Sequence, residues 1–192
     1  MPAVPAVPGL PDASYDHDGQ LTKREVRAIT LARLAPVPGE LLWDVGAGAG
    51  SVAIEWMRAH PECRAVAVED RPERARRITA NAAALGVPAL AVVTGPAPAV
   101  LATLEGPPDA VFVGGGLTAP GMIATCWDAL RPGGRLVANT VTVEGERTVL
   151  EAHGRLGGDL ARIAVDRAAP LGALTTWRPQ IPVLQWTATK PA

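Results

Sequence analysis

Cysteine and lysine are both scarce in this 192-residue sequence, and each scarcity narrows what the chain can be. The two cysteines, Cys63 and Cys126, show neither a Cys-x-x-Cys spacing nor a histidine at ligand spacing, which leaves no disulfide framework and no metal site to expect. They read as core thiols. Lysine occurs only at Lys23 and Lys190, so nearly every cation is an arginine, the better fork for carboxylates. Neither sign of charge dominates: 18 Lys and Arg stand against 19 Asp and Glu, which argues against an extended nucleic-acid surface. The uncharged run from Ile78 to Leu104 has the length of a membrane span, but Gly86, Pro88, Gly95, Pro96 and Pro98 break it into helix end, strand, loop and helix start. Met1 to Pro8 lacks a charged n-region and is too rich in proline for a signal sequence, so a cytoplasmic protein is expected.

What is present is apolar: 48% of the residues are hydrophobic, too many for a disordered chain and enough for one ordinary domain with a buried core. Residues 1–13 form a proline-rich lead of the kind found at domain junctions, here expected to be a linker remnant, and residues 14–192 a single domain.

The chain is organised around Leu41–Gly50. Leu41, Leu42, Trp43 and Val45 make the short apolar run of a strand buried on both faces. Gly46, Gly48 and Gly50 then clear one side of a turn for a close ligand, and Ser51 to Met57 continues as a helix whose first N–H groups point back at it. A dinucleotide fingerprint needs Gly-x-Gly-x-x-Gly, and its third glycine is Ser51 here. Asp44, two residues before the first glycine, suits a ligand bearing an amino group and a sulfonium. A turn without ligand and a dinucleotide site stay open, but the loop favours S-adenosylmethionine. Glu69, at the tip of the strand Arg64–Glu69, stands where either cofactor holds its ribose hydroxyls, with Asp70 beside it as a second acid.

Around this unit strand and helix alternate. Thr22-x-x-Glu25 predicts a capping box opening a helix that buries Val26, Ile29, Thr30 and Leu34. Ahead of it His17, between Asp16 and Asp18, reads as either an acid–base group or, more commonly, a solvated loop histidine. Pro72 at a helix N1 position opens an arginine-rich helix with a solvated face. Strands are expected at 89–93, 109–113 and 135–141, and helices at 117–130 and 143–156. Gly114, Gly115 and Gly116, after a central strand, open the backbone where substrate would lie. Leu160–Ala168 and Ile181–Thr189, with no helix between them, predict an antiparallel hairpin at the sheet edge. The fold class expected is therefore α/β: a doubly wound, mostly parallel, seven-stranded Rossmann-like sheet with a C-terminal antiparallel hairpin.

The glycine loop, the acidic strand tip, the turn Leu130-Arg131-Pro132-Gly133-Gly134-Arg135 and the terminal hairpin together resemble class I S-adenosylmethionine-dependent methyltransferases over nearly the whole chain. More narrowly, Gly19 to Arg27, Leu42 to Gly48, Asp109 to Gly116 and Asn139 to Glu144 are similar to the C-terminal module of the precorrin-6Y methyltransferase (decarboxylating) family. The resemblance implies S-adenosyl-L-methionine as cofactor, with contacts at Thr22, Gly46, Ala47, Gly48, Ala49, Gly50, Glu69 and Ala97. One departure stands out: the family's Gly-Asp-Ala-Pro reads Gly95-Pro96-Ala97-Pro98 here, leaving a backbone N–H at Ala97 for the adenine side. The implied reaction is methylation of carbon 15 of precorrin-6B with loss of the ring C acetate carboxyl as carbon dioxide, giving precorrin-7 for cobalamin biosynthesis. It needs proximity and alignment more than a catalytic base, and no catalytic residue is assigned. Arg24, Arg147 and Arg178 are candidates for gripping the substrate's carboxylates. The family also implies a carbon-5 methylase module fused ahead of this one, and a tetramer. The competing readings are an RNA or protein methyltransferase and, more remotely, a nicotinamide-binding oxidoreductase. The Asp/Asn-Pro-Pro-aromatic signature of exocyclic-amine methylation is replaced by Gly114–Gly116.

Overall fold

The computed structural model describes residues 8–192. Five helices, α1 (Arg24–Leu34), α2 (Ser51–Ala59), α3 (Pro72–Ala84), α4 (Met122–Ala129) and α5 (Val143–Leu156), surround strands β1 (Leu41–Val45), β2 (Arg64–Glu69), β3 (Ala91–Thr94), β4 (Ala110–Val113), β5 (Arg135–Thr140), β6 (Asp159–Ile163) and β9 (Val183–Thr189). These seven strands form one sheet in the order β3-β2-β1-β4-β5-β9-β6, parallel from β3 through β5 and antiparallel on both sides of β9. The expected doubly wound fold is thus present. Successive residues enter opposite cores, Leu42, Ala67, Ala110, Phe112 and Val137 facing α1–α3, and Trp43, Val45, Val111, Val113, Leu136 and Ala138 facing α4 and α5. Burial on both faces is why the parallel strands read as unbroken apolar runs. Cys63 and Cys126 are both buried, and burial pushes the Cys126 thiol up to about 12, which keeps it inert.

Four local expectations need correction. The helix boundary at 117 moves to Met122, because Pro120 and Gly121, with φ +80° at the N-cap, hold residues 117–121 in turns. The capping box does not form: Lys23, not Thr22, is the N-cap, no side chain caps the helix, and Glu25 pairs with Arg167 instead. Ile29 is exposed, while Arg27 and Leu31 take up the buried face of α1. The arms of the expected terminal hairpin do pair, as β6 with β9. The chain between them is a second hairpin, β7 (Asp166–Leu171) and β8 (Leu174–Pro179), forming its own two-stranded sheet. Its signal was Gly172, φ +60°, between Leu171 and Leu174.

The packed chain begins upstream of residue 14. Residues 1–7 of the expected linker lie outside the described residues, but Leu10 is buried and Asp12–Ser14 makes one 3-10 turn. Glu55 of α2 fastens this segment: its carboxylate accepts from Gly9 N–H, Leu10 N–H at 3.0 Å, the Tyr15 hydroxyl at 2.9 Å and Arg27 Nε. Arg27, fully buried, also donates to the carbonyls of Leu10 and Thr22 and lies 4.8 Å from the Tyr15 ring centre. Burial first, and then the Glu55 charge, push the Tyr15 phenol upward, so it stays a proton donor.

Candidate functional site

The carboxyl ends of β1, β2 and β4 bring three loops together. Gly46, Gly48 and Gly50 all have positive φ, +71°, +61° and +76°, a conformation that glycine adopts without penalty. Each also faces something a side chain would strike: a Cβ at Gly46 would lie 2.6 Å from Gly115 backbone, at Gly48 3.2 Å from the Gln20 carbonyl, and at Gly50 2.7 Å from Ile78. The loop is therefore wedged between the Gly114–Gly116 turn, the lead and α3. It is held to β2 by Gly46 and Ala47, both donating to the Val68 carbonyl, and by Gly48, which donates to Glu69 Oε2 at 2.9 Å.

Glu69 is buried at the end of β2, its other oxygen accepting from Arg71 N–H at 3.2 Å, and burial is the first cause raising its pKa. Asp44 is more buried still. One oxygen accepts from Ala53 N–H at 3.0 Å, in the first turn of α2, and the other has no partner among the described residues. Burial lifts its pKa from an ordinary 3.8 to about 7, the Ala53 bond opposing that rise. Such a group favours the folded state below the unfolded pKa and loses that contribution as pH climbs through the folded one. Asp44→Asn is accordingly expected to melt above the native chain at pH 8, by on the order of 3 kcal/mol, and to lose that advantage near pH 4. Thermal melts of both proteins across that range check the sign.

Sequence reasoning missed Asn81. From α3 its amide accepts from Asp16 N–H at 2.9 Å and donates to the carbonyls of Asp16 at 2.9 Å and Ala49 at 3.0 Å, joining lead, helix and glycine loop in one side chain. Only its place on the buried face of an otherwise charged helix could have marked it. Replacing Asn81 with Ala leaves those backbone groups without partners, at about 1–3 kcal/mol each, and roughly a tenfold loss of cofactor affinity is expected by calorimetry. The lead is tied down beyond it: Asp18 meets Arg74 at 2.8 Å and Arg77 at 3.5 Å, and the Arg74 hydrogen bond holds its carboxyl near 2. His17 Nδ1 accepts from Gly19 N–H, an ordinary loop role.

The other expected contacts lie around the same opening. Thr22 is half-buried at the end of the lead; Ala97, half-buried after β3, has an N–H without an acceptor among the described residues. The three arginines are dispersed. Arg24 opens α1 with its stem 3.6 Å from the position of a Gly9 Cβ, Arg178 lies on β8, and Arg147 faces outward on α5, bonded to Glu151 at 3.0 Å. A hollow of about 390 Å³ lined by Met57, Arg58, Pro61 and Gly86 lies at the opposite end of the sheet, away from all of these.

The profile of the precorrin methyltransferase domain matches residues 13–190. The chain belongs to that family. Over 187 residues it is 54% identical to a Sinorhizobium precorrin-6Y C(5,15)-methyltransferase [decarboxylating], covering 97% of this chain and 45% of that protein. A second relative is matched along both chains: the probable cobalt-precorrin-6B C(15)-methyltransferase (decarboxylating) of Pyrobaculum calidifontis, 37% identical over 190 residues, 95% of this chain and 96% of that one. The crystal structure of the C-terminal domain of precorrin-6Y C5,15-methyltransferase from Rhodobacter capsulatus superposes with a TM-score of 0.91 at 45% identity, covering 97% of this chain and 100% of that one. The precorrin methyltransferase domain thus spans about half the length of its C(5,15) relative. Among the described residues no helix is long and apolar enough to cross a membrane.

Proposed function

We propose that this chain is the carbon-15 half of the reaction: it methylates carbon 15 of precorrin-6B and releases the ring C acetate carboxyl as carbon dioxide, giving precorrin-7. The observation that carries this is one of lengths. The C(15) decarboxylating relative is matched from end to end, whereas the C(5,15) relative is about twice as long. The other, N-terminal half of that longer protein is the expected carbon-5 methylase module.

S-adenosyl-L-methionine supplies a methyl group already activated on a sulfonium. The chain's own groups fit it: the positive-φ turn of glycines 46 and 48 presents bare backbone at the ends of β1 and β2, Glu69 offers carboxylate oxygens to ribose hydroxyls, and Ala97 offers a free N–H to the adenine edge. Thr22, Ala47, Ala49 and Gly50 complete the wall, with the partnerless Asp44 oxygen behind the loop. Catalysis then rests on holding donor and carbon in line and excluding water, effects worth several kcal/mol without any proton transfer. Arg24 and Arg178 remain on the substrate side of this reading; Arg147, bonded to Glu151, is the least well placed of the three. A tetrameric, cytoplasmic enzyme is part of the same proposal.

Precorrin-6B incubated with this chain and S-adenosylmethionine, followed by mass spectrometry, is expected to gain one methyl and lose one carbon dioxide. Neither change, with cofactor binding intact, overturns the proposal.

A further inference from the structure

The β7–β8 ribbon sets Arg167 directly opposite Arg178. Cross-strand partners leave the same face with Cβ atoms roughly 5 Å apart, and like charges so placed destabilise a ribbon. A ribbon this small has little to offset that, since Leu171, Leu174 and Trp177 are 63%, 74% and 71% exposed. Among the described residues one acid answers the pair: Glu25, in the first turn of α1, accepts from Arg167, and Arg178 has no ion pair. The face the two arginines share continues through Ala169 and Thr176 to Leu171 and Leu174, cationic at its base and apolar at its tip.

The ribbon's place in the fold gives this face a use. β7 follows Ile163 and β8 precedes Val183, which are register partners, and Leu184 pairs with Thr140 at the carboxyl end of β5. The ribbon therefore rises from the end of the sheet that carries the glycine loop and the Gly114–Gly116 turn. Its bond to Glu25 turns the arginine face toward the start of α1, three residues from Thr22.

We propose that Arg167 and Arg178 form a carboxylate-binding fork of the substrate site, gripping the acidic arms of a flat, apolar-bodied polycarboxylate. Glu25 holds Arg167 in place until a ligand carboxylate takes over its guanidinium. Two adjacent forks of this kind suit paired carboxylates, and the leucines at the tip suit the apolar body between them. The identity of the ligand as a precorrin rests on the proposed function; the fork itself rests on the register and the charge pattern. Arg178 was expected from its chemistry, but Arg167 carried no signal until the hairpin placed it.

The test titrates the full chain with uroporphyrin, an octacarboxylate, and with its neutral octa(hydroxyethylamide), alongside precorrin-6B kinetics and calorimetry of S-adenosylhomocysteine. Arg167→Met and Arg178→Met are each expected to weaken uroporphyrin binding roughly tenfold and to raise the precorrin KM similarly, with kcat within about twofold. Binding of the neutral amide and of S-adenosylhomocysteine stays unchanged, Arg178→Lys recovers only part of the loss, and Glu25→Gln binds uroporphyrin more tightly. Unchanged uroporphyrin binding and KM in both Met variants overturn the fork, as does equal weakening for the acid and the amide. A native chain that binds uroporphyrin through these arginines yet leaves precorrin-6B unmethylated keeps the fork and overturns the function.

Discussion

Arg27→Ala is expected to lower the melting temperature by roughly 6–20 °C. Removing one partner of a buried ion pair costs about 3–5 kcal/mol, and each kcal/mol moves a domain of this size by about 2–4 °C. The side chain is fully buried, and its loss leaves the Glu55 carboxylate without its counter-charge and the Leu10 and Thr22 carbonyls without a donor. Arg27→Lys is expected to recover little, because one ammonium cannot reach acceptors spread around a planar fork. Pairing Arg27→Ala with Glu55→Gln removes the stranded charge, so the double variant should be less destabilised than the sum of the singles. Thermal unfolding of the four proteins closes the cycle. A shift under 2 °C for Arg27→Ala means that the lead is not fastened as described.

Gly46→Ala is expected to weaken cofactor binding at least about 100-fold, which corresponds to about 2.7 kcal/mol. Two penalties coincide at this residue. Its φ of +71° is one that alanine rarely adopts, and the added Cβ would sit 2.6 Å from the N and Cα atoms of Gly115. Because the obstacle is backbone, no rotamer change relieves it, and the loop must separate from the turn after β4. Gly106→Ala is the control: its φ is also +71°, but nothing lies within 4 Å of its Cβ, so it should show the conformational penalty with cofactor affinity intact. Calorimetric titration of both variants separates contact from conformation; equal affinity in the two removes the close approach as the reason for glycine at 46.

The parts of the fold that were legible in the sequence are those written in neighbouring residues. The glycine loop, the Pro72 helix start and the span Val143–Leu156, stopped by Gly157, needed only local chemistry and were read with their observed limits. The apolar runs of β1, β2 and β5 announced a two-faced core for the same reason. What stayed hidden depends on partners distant in sequence. Glu55 looked like any acid in an apolar helix until Leu10, 45 residues away, was seen to donate to it. Asn81 joins Asp16 and Ala49, 65 and 32 residues off. Thr22 and Glu25 have the spacing of a capping box, but Arg167, 142 residues downstream of Glu25, takes the carboxylate that would have closed it. Local rules name the candidates at such positions, and tertiary contacts choose among them.

The sheet order also fixes a sequence of events during synthesis. β9 lies between β5 and β6, so β6 has no neighbour in the sheet until Val183–Thr189 have left the ribosome. With β1 to β5 able to pair as they emerge, β6 must wait, its edges open to other nascent chains. A nascent chain stalled after Pro182 lacks all of Val183–Thr189, including Trp186, which is fully buried in the folded protein. Val183–Thr189 is thus the stretch whose arrival seals this edge of the sheet.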